Sequence, residues 1–533
     1  MGIARTITRN AFYIYLSQVM QKLVNVLFVA VAARLLGAQG YGEFLLVTTM
    51  VLVVTSFANF GIRPFIVRMI SRQKERTDEL LSNVLVFRTA LAVVAYGVLV
   101  AFAQVAGYGD EVRVLTAIAG TAILFNVAQD SLEAVLQAHQ RMKLLGALSV
   151  GAALTATVVG ITILWSGLGL RWLFAANVAV QALFAAVTAA LIWRGIVRFR
   201  PRLEPVVVKA LLVGCLPFLL AFFLGFMDTK IDILMLSLVK GPVESAVAIG
   251  YFGPAHTILM AAMLLPRSLN QVLVPVVSQK IYVEQAVVRD LVEKATKFVI
   301  LTVSFPMILA TTMFSDEIVA FVFGPQYGPT ARALVILGWA YGFHALNLPS
   351  HSVLGSTREM RYFLPVLAGS FALNVTLNLL LIPRYSYVGA AMGSVIVLAL
   401  GFCARFYFLH RILDLRLSAA RPYVRLFLVL VVALAVGHAV RPRLAWTIAA
   451  LVIALVYVGL LYAFRAVEPE EWRFVVSVLG RKLGKQSAHG DHSRASDHRE
   501  ATADGPASGP GISVGGTGAV ASAGPVDGRY GRG

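Results

Sequence analysis

Apolar residues run along this chain in blocks of twenty or more, broken by short polar turns. The blocks are apolar all round. They lack the one-sided stripe of a surface helix and the two-residue alternation of a half-buried strand. About 20 such residues, at 1.5 Å each in a helix, cross roughly 30 Å of hydrocarbon. The blocks fall near 11–36, 42–62, 80–106, 112–138, 144–166, 171–193, 208–238, 246–275, 296–315, 330–355, 361–382, 387–409, 422–440 and 443–465. Continuous runs of this kind belong to helices rather than to membrane barrel strands, which alternate. The pattern therefore predicts an all-α integral membrane protein of about 14 transmembrane helices. Past Arg465 the chain turns polar. From about Ser487 it is rich in Gly, Ala, Ser, His and Asp, a composition that predicts a disordered tail.

Composition agrees. Of 533 residues, 58% are apolar and only 14% charged, and the mean hydropathy is +0.78. A soluble protein carries roughly 25% charge, so most of this surface meets a solvent other than water. The formal net charge of +19 would suggest nucleic acid in a soluble protein. Here the basic residues sit in short loops, where retention on the cytoplasmic side explains them. Alternate loops hold 25 Lys and Arg on one side, including the clusters at 63–76 and 194–209, against 8 on the other. That bias places both termini in the cytoplasm. The basic clusters also suit anionic lipid or a phosphate headgroup. Cys215 and Cys403 lie within apolar blocks, so no disulfide framework or cysteine metal site is expected. The stretch from Ala11 to Leu36 is too long for the core of a cleavable signal and reads as the first span. No glycine-rich phosphate loop with its lysine is present, so neither an internal ATPase nor any cofactor is expected. The loops on the less basic side are too short to fold as a catalytic domain.

The two halves resemble each other weakly. At an offset of 211, Gly42, Asn59 and Pro64 recur as Gly253, Asn270 and Pro275, and Gly40-Tyr41 recurs one residue off as Gly250-Tyr251. At an offset of 218, Phe125, Gln129, Leu136, Met142, Lys143 and Gly151 meet Phe343, Asn347, Leu354, Met360, Arg361 and Gly369. An even number of helices per repeat implies parallel repeats about an axis along the membrane normal. The expected organisation is two pseudo-twofold-related six-helix bundles, spans 1–6 in residues 1–200 and spans 7–12 in 201–412. Two further helices occupy 413–466, and 467–533 form a cytoplasmic tail.

Several motifs carry a family likeness. Gly250-Tyr251-Phe252-Gly253-Pro254-Ala255 resembles the "G-x-Y-x-x-A" signature of the O-antigen type polysaccharide flippases, as does Phe323-Gly324-Pro325-Gln326-Tyr327. Leu373-Asn374 through Asn378-Leu379-Leu380-Leu381-Ile382-Pro383-Arg384-Tyr385, then Gly389-Ala390-Ala391, resembles that family's "N-x-x-x-N-x-x-L-I-P-x-x-G-x-x-G-A-A". Arg34-Leu35-Leu36-Gly37 through Gly40-Tyr41-Gly42 also fits, and the likeness covers roughly residues 5 to 465. Ser386 departs from the pattern, since the family usually has glycine after the tyrosine. The family belongs to the multidrug/oligosaccharidyl-lipid/polysaccharide exporter superfamily. The resemblance implies two six-helix lobes around a central cavity, in the bacterial cytoplasmic (inner) membrane. It also implies export of an undecaprenyl-pyrophosphate-linked oligosaccharide.

An ionisable group inside a span costs at least about 2.5–3.5 kcal/mol near its centre, so each is a functional candidate. Lys22 lies mid-span 1 on a polar stripe with Gln18, Gln21 and Asn25. Lys230, in span 7 between Asp228 and Asp232, stands 208 residues further on, close to the repeat-equivalent site. One reading makes them a cationic pair, one per lobe, for a pyrophosphate. The other has each lysine neutralise a nearby carboxylate. Asp130 and Glu133 share a face of span 4 with Asn126, Gln129 and Gln137, as a coupling site for a cation or proton or as partners of Lys22. Asp228 and Asp232 are ion-coupling residues or charge partners in the same sense. Arg88 and Arg267 either line the cavity or snorkel to the headgroups. His256, His344 and His351 form no metal-like set and read as hydrogen-bonded bundle residues. Asn374 and Asn378, four apart, read as helix glue. Pro217, Pro266, Pro275 and Pro306 are expected to kink their helices.

The leading expectation is a non-enzymatic transporter that flips a lipid-linked oligosaccharide by alternating access. Its partners would be the lipid-linked glycan, membrane lipid and glycan polymerase or export machinery, with no nucleic acid. A cation-coupled small-molecule or multidrug exporter of the same superfamily is the first alternative. A membrane glycan polymerase or glycosyltransferase is the second. It is disfavoured because Asp110-Glu111, on a short turn, is a poor acidic pair.

Overall fold

The computed structural model describes residues 2–59, 62–195, 204–205, 223–227, 229–354, 360–413 and 420–464. Asp228, Pro217, Arg358, most of span 7, much of the 194–209 basic cluster and the tail lie outside them, as does the side chain of His351. Among the described residues the regular structure is helical throughout. Ten stretches of them are long and apolar enough to cross a membrane.

The first half begins with α1 (Gly2–Asn59) and the short amphipathic α2 (Ile62–Arg72), then α3 (Thr77–Val105). It continues with α4 (Asp110–Gly120), α5 (Ala122–Ala138), α6 (Met142–Trp165) and α7 (Gly169–Gly195). The second half holds α8 (Ile231–Val239), α9 (Pro242–Ala262), α10 (Leu264–Lys280), α11 (Gln285–Val299) and α12 (Phe305–Phe323). After it come α13 (Thr330–Leu354), α14 (Met360–Leu413), α15 (Ala420–Val440) and α16 (Trp446–Ala463). Apart from α2 and α11, amphipathic helices that lie between the blocks, the described helices fall where the apolar blocks predict them.

Two helices are too long for one crossing. α1 has 58 residues and α14 has 54, each about 80 Å if straight. Each is interrupted once. Gly37 adopts φ 66°, ψ 179°, and Ser386 adopts φ 52°, ψ −135°. These breaks separate spans 1 from 2 and 11 from 12. Glycine takes such a conformation without a Cβ clash, whereas serine is strained there. Ser386 is the position where the sequence departs from the flippase pattern, and the backbone keeps the glycine-like turn regardless.

Proline places other irregularities. The helical run of span 8 breaks at Met263, between α9 and α10, three residues before Pro266. A proline ring clashes with the carbonyl four residues back and leaves it without a donor. Pro306 follows a π-helical turn at Ile300–Ser304, which widens the backbone where that clash would fall. Pro275 sits inside α10.

One buried core runs through both halves and includes Tyr41, Met50 and Leu99 with Phe252, Phe323 and Tyr327. Its tightest point is the crossing of α1 and α9. A Cβ on Gly42 would fall 1.7 Å from the Ala246 carbonyl oxygen, and one on Gly250 would fall 1.8 Å from that of Ala38. The contact is reciprocal, with Gly42 matching Gly250 and Ala38 matching Ala246, both pairs 208 residues apart. At this crossing the correspondence is therefore 208, not the 211 that aligns Gly42 with Gly253. Lys22 and Lys230 are related by the same 208.

Two measurements follow. Ser386→Gly should stabilise the fold by about 1 kcal/mol by removing the strained φ. Thermal unfolding in detergent should show a higher midpoint than wild type. Gly42→Leu should pry the α1–α9 crossing apart. A cysteine placed at Ala246, which is 3% exposed, should then react with a maleimide about tenfold faster or more than in the Gly42 background.

Candidate functional site

The half of α1 before Gly37 shows two exposed faces. Leu16, Met20, Leu23 and Leu27 form one, each 39–60% exposed and apolar. Gln18, Lys22 and Asn25 form the other, at helical spacing on the opposite side. A helix with an oily and a polar exposed face stands between lipid and a water-filled gap. Lys22 lies on that polar face, and it, Lys230 and Arg267, the last two from the second half of the chain, are near enough to feel one another's charge. Three cations, from α1, the turn before α8 and α10, thus cluster between the halves. Among the described residues no carboxylate lies within ion-pair distance of any of the three. Arg267 makes a contact of 3.2 Å to the Met260 sulfur. This gap can hold an anion with several charged oxygens.

The acidic face of span 4 goes elsewhere. Asp130 on α5 is bound by Arg88 Nη1 at 2.9 Å and Arg63 Nη1 at 3.0 Å, and Glu133 by Arg63 at 3.2 Å. Gln129 donates to Glu133. Arg88 also donates to Ser131 Oγ at 2.8 Å and Asn59 Oδ1 at 2.5 Å, and its side chain is fully buried. Of the two readings of these carboxylates, the one that pairs them with Lys22 gives way to pairing with Arg63 and Arg88. Arg88 does not snorkel. Arg63, counted above among loop bases, supplies the second cation, while Arg68, Arg72, Lys74 and Arg76 of the same cluster are exposed. Arg405, one of the 25 Lys and Arg assigned by sequence to the basic side, is buried too, 3% exposed.

Asp232 on α8 is buried, 6% exposed. Its hydrogen-bond donors on α14 are neutral. Asn378 Nδ2 donates to Oδ1 at 2.8 Å and Ser394 Oγ donates to Oδ2 at 2.8 Å. Asn378 also donates to Asn374 Oδ1 at 2.7 Å, so the asparagines four apart on α14 position the carboxylate as well as join helices. A small cavity of about 30 Å³, room for one water or ion, is lined by Asp232, Thr229, Asn374, Ser394, His256 and His344. His256 and His344 reach this cavity rather than a metal-like cluster. Among the described residues no group of three or more His, Cys, Asp or Glu could hold a metal.

The end of the molecule marked by Gly37 and Gly324 is held shut across the halves. Arg34 donates to the carbonyls of Phe321 and Val322, at 3.0 Å to the latter. Tyr327 Oη donates to the Ala33 carbonyl at 2.8 Å, and Gln326 Nε2 to the Arg34 carbonyl at 3.1 Å. Tyr108 and Ser237 share a hydrogen bond of 2.7 Å across the halves, and within the second half Lys240 reaches the Pro383 carbonyl at 3.4 Å. Tyr251 packs edge-on against Tyr327, with centroids 6.5 Å apart. The two aromatic motifs noted in the sequence meet here. Asp110 and Glu111 lie exposed, paired with Arg113 and Arg171.

A polytopic helical protein with a charged gap between halves closed at one end has the architecture of a membrane transporter. Comparison with solved structures agrees on the fold. The lipid II flippase MurJ in its inward closed conformation superposes with a TM-score of 0.68 at 13% identity, over 86% of this chain and 98% of that one. The MATE multidrug transporter DinF-BH gives a TM-score of 0.58 at 15% identity, over 78% and 98%. The model of a polysaccharide biosynthesis protein family matches residues 31–332, and the chain belongs to that family. Among its relatives, capsular polysaccharide biosynthesis protein CapF of Staphylococcus aureus is 22% identical over 428 residues, 76% of this chain and 99% of that one. The probable low-salt glycan biosynthesis flippase Agl15 of Haloferax volcanii is 22% identical over 419 residues, 77% and 85%.

Removing Arg88 leaves a partly buried carboxylate with one cation fewer. Arg88→Ala should destabilise the protein by about 3–5 kcal/mol, while the double variant Arg88→Leu/Asp130→Leu should recover much of that loss. Denaturant unfolding of both in detergent measures the difference.

Proposed function

We propose that this protein flips a polyprenyl-pyrophosphate-linked oligosaccharide across the cytoplasmic membrane, for export of a cell-surface polysaccharide. The observation that carries the reading is the trio Lys22, Lys230 and Arg267, contributed by both halves and facing one gap without carboxylate partners among the described residues. An isolated charge in a membrane protein needs water or a counter-charge, and three cations together call for an anion of high charge. A pyrophosphate supplies one, while the polyprenyl chain stays in lipid. We leave Arg88 outside this trio because its guanidinium is committed to Asp130, Ser131 and Asn59. Membership of a polysaccharide biosynthesis family and the names of CapF and Agl15 support a glycan cargo.

The mechanism is a rocking of two lobes, residues 1–200 and 201–412, with no covalent chemistry. The excess of Lys and Arg in alternate loops puts both termini in the cytoplasm. It puts the Gly37–Gly324 end outside, so the gap at Lys22 opens inward. The headgroup enters from the cytoplasm, and breakage of the Arg34 and Tyr327 contacts with the Gly42–Gly250 crossing releases it. Asp232 is the site for a coupling cation or proton, since its carboxylate is oriented by the neutral Asn378 and Ser394 beside a one-ion cavity. A multidrug exporter would favour cationic dyes, which three cations repel.

Reconstituted in liposomes, the protein should flip a fluorescent undecaprenyl-pyrophosphate glycan. Lys22→Gln, Lys230→Gln and Arg267→Gln should each slow flipping about tenfold or more, the cost of losing a charge-assisted contact of about 1.5–3 kcal/mol. Efflux of a cationic dye with no glycan flipping would overturn the assignment.

A further inference from the structure

A cavity of about 140 Å³ lies within the first half of the chain, among α1, α4, α5, α6 and α7. It is close to the roughly 150 Å³ of a cavity that takes up one benzene ring. One wall is aromatic. Phe44 stacks on Phe174 with centroids 5.5 Å apart and planes 21° apart, and Phe28 meets Phe44 edge-on at 5.8 Å. The rest of the lining is aliphatic apart from Thr48, Asn126, Asn177 and Gln181, and holds no charged residue. Gln181 Nε2 donates to Asn177 Oδ1, so the two amides hold one another in place. Gln181 Oε1 and Thr48 Oγ1 are buried with no hydrogen-bond partner.

Each unpartnered buried polar atom costs about 1–3 kcal/mol unless a ligand supplies the missing bond. The chemistry of the lining selects that ligand. A hydrocarbon chain would leave the amides and hydroxyl unpaired. A cation would find no carboxylate, and a phosphate no cation. A pyranose ring meets both demands. Its C–H face lies on an aromatic wall, and each rim hydroxyl both donates and accepts, as do the facing amides and threonine. The cavity is also placed for it. Phe28 is seven residues beyond Gln21 of the polar stripe, two turns along the same side of α1 and about 10 Å from it. That separation suits a sugar attached to a pyrophosphate held by Lys22.

We infer that this cavity is a sugar subsite, which takes the pyranose ring next to the pyrophosphate and discriminates among glycan cargoes. The inference rests on the flippase reading and deepens it. The full-length protein in nanodiscs is titrated with undecaprenyl pyrophosphate, and with the same lipid carrying one glucose, galactose or N-acetylglucosamine. At least one glycosylated lipid should bind about tenfold tighter than the bare lipid, the effect of one or two added hydrogen bonds. Gln181→Leu and Asn177→Leu should abolish that preference while bare-lipid affinity stays at the wild-type value. Thr48→Val, isosteric and benign to folding, should reduce it. Equal binding of all four lipids by wild type, or a preference that survives in all three variants, would overturn the subsite alone. Failure of wild type to bind any of the lipids would overturn the flippase reading and the subsite with it.

Discussion

A charge in hydrocarbon needs a counter-charge or water, and that constraint sorts the ionisable residues of this protein into two populations. Asp130 and Glu133 meet Arg63 and Arg88 in a network tying α2, α3 and α5 together, with Asn59 of α1 hydrogen-bonded to the Arg88 end. Lys22, Lys230 and Arg267 have no such partner among the described residues and face a gap. The same energetic rule that makes the first group a structural clamp makes the second a demand for solvent or an anionic guest. Charge inside the bilayer region is thus either satisfied by neighbours or left open to solvent or a guest.

The second organising feature is the reciprocal crossing of α1 and α9. Glycine at 42 and 250 lets each backbone rest against a carbonyl of the other helix, so the helices meet without intervening side chains. Around it, Arg34, Gln326 and Tyr327 bond to main-chain atoms rather than to side chains. Such bonds fix the distance between backbones and can be made or broken together. The contact is close and rich in small residues.

Much of the fold was legible because the bilayer imposes length and hydrophobicity on every crossing segment. Helix positions, the breaks near Gly37 and Tyr385, and the interruption near Pro266 all follow from local sequence. The glycine and asparagine motifs were visible as patterns, but their work was not. Gly42 aligned with Gly253 by composition, whereas the crossing pairs it with Gly250. Asn374 and Asn378 looked like glue between helices and instead also orient Asp232. Arg63 and Arg405 looked like ordinary loop bases, since positive charge near a helix end has the same local signature whether it points to water or into the protein. The aromatic-walled cavity had no sequence signal, because its lining is brought together from α1, α4, α5, α6 and α7.

By itself, the sequence determined the solvent, the helical class and the approximate extent of each helix, because hydrophobicity and backbone satisfaction act over twenty residues at a time. It also isolated the ionisable residues whose presence in a span demands an account. Which of these charges cancel and which remain open was decided only by tertiary structure. Pairing depends on the distance between helices far apart in the chain. Lys22 and Arg88 look alike as lone cations in apolar segments, and only the approach of α5 to one, and of a gap to the other, tells them apart.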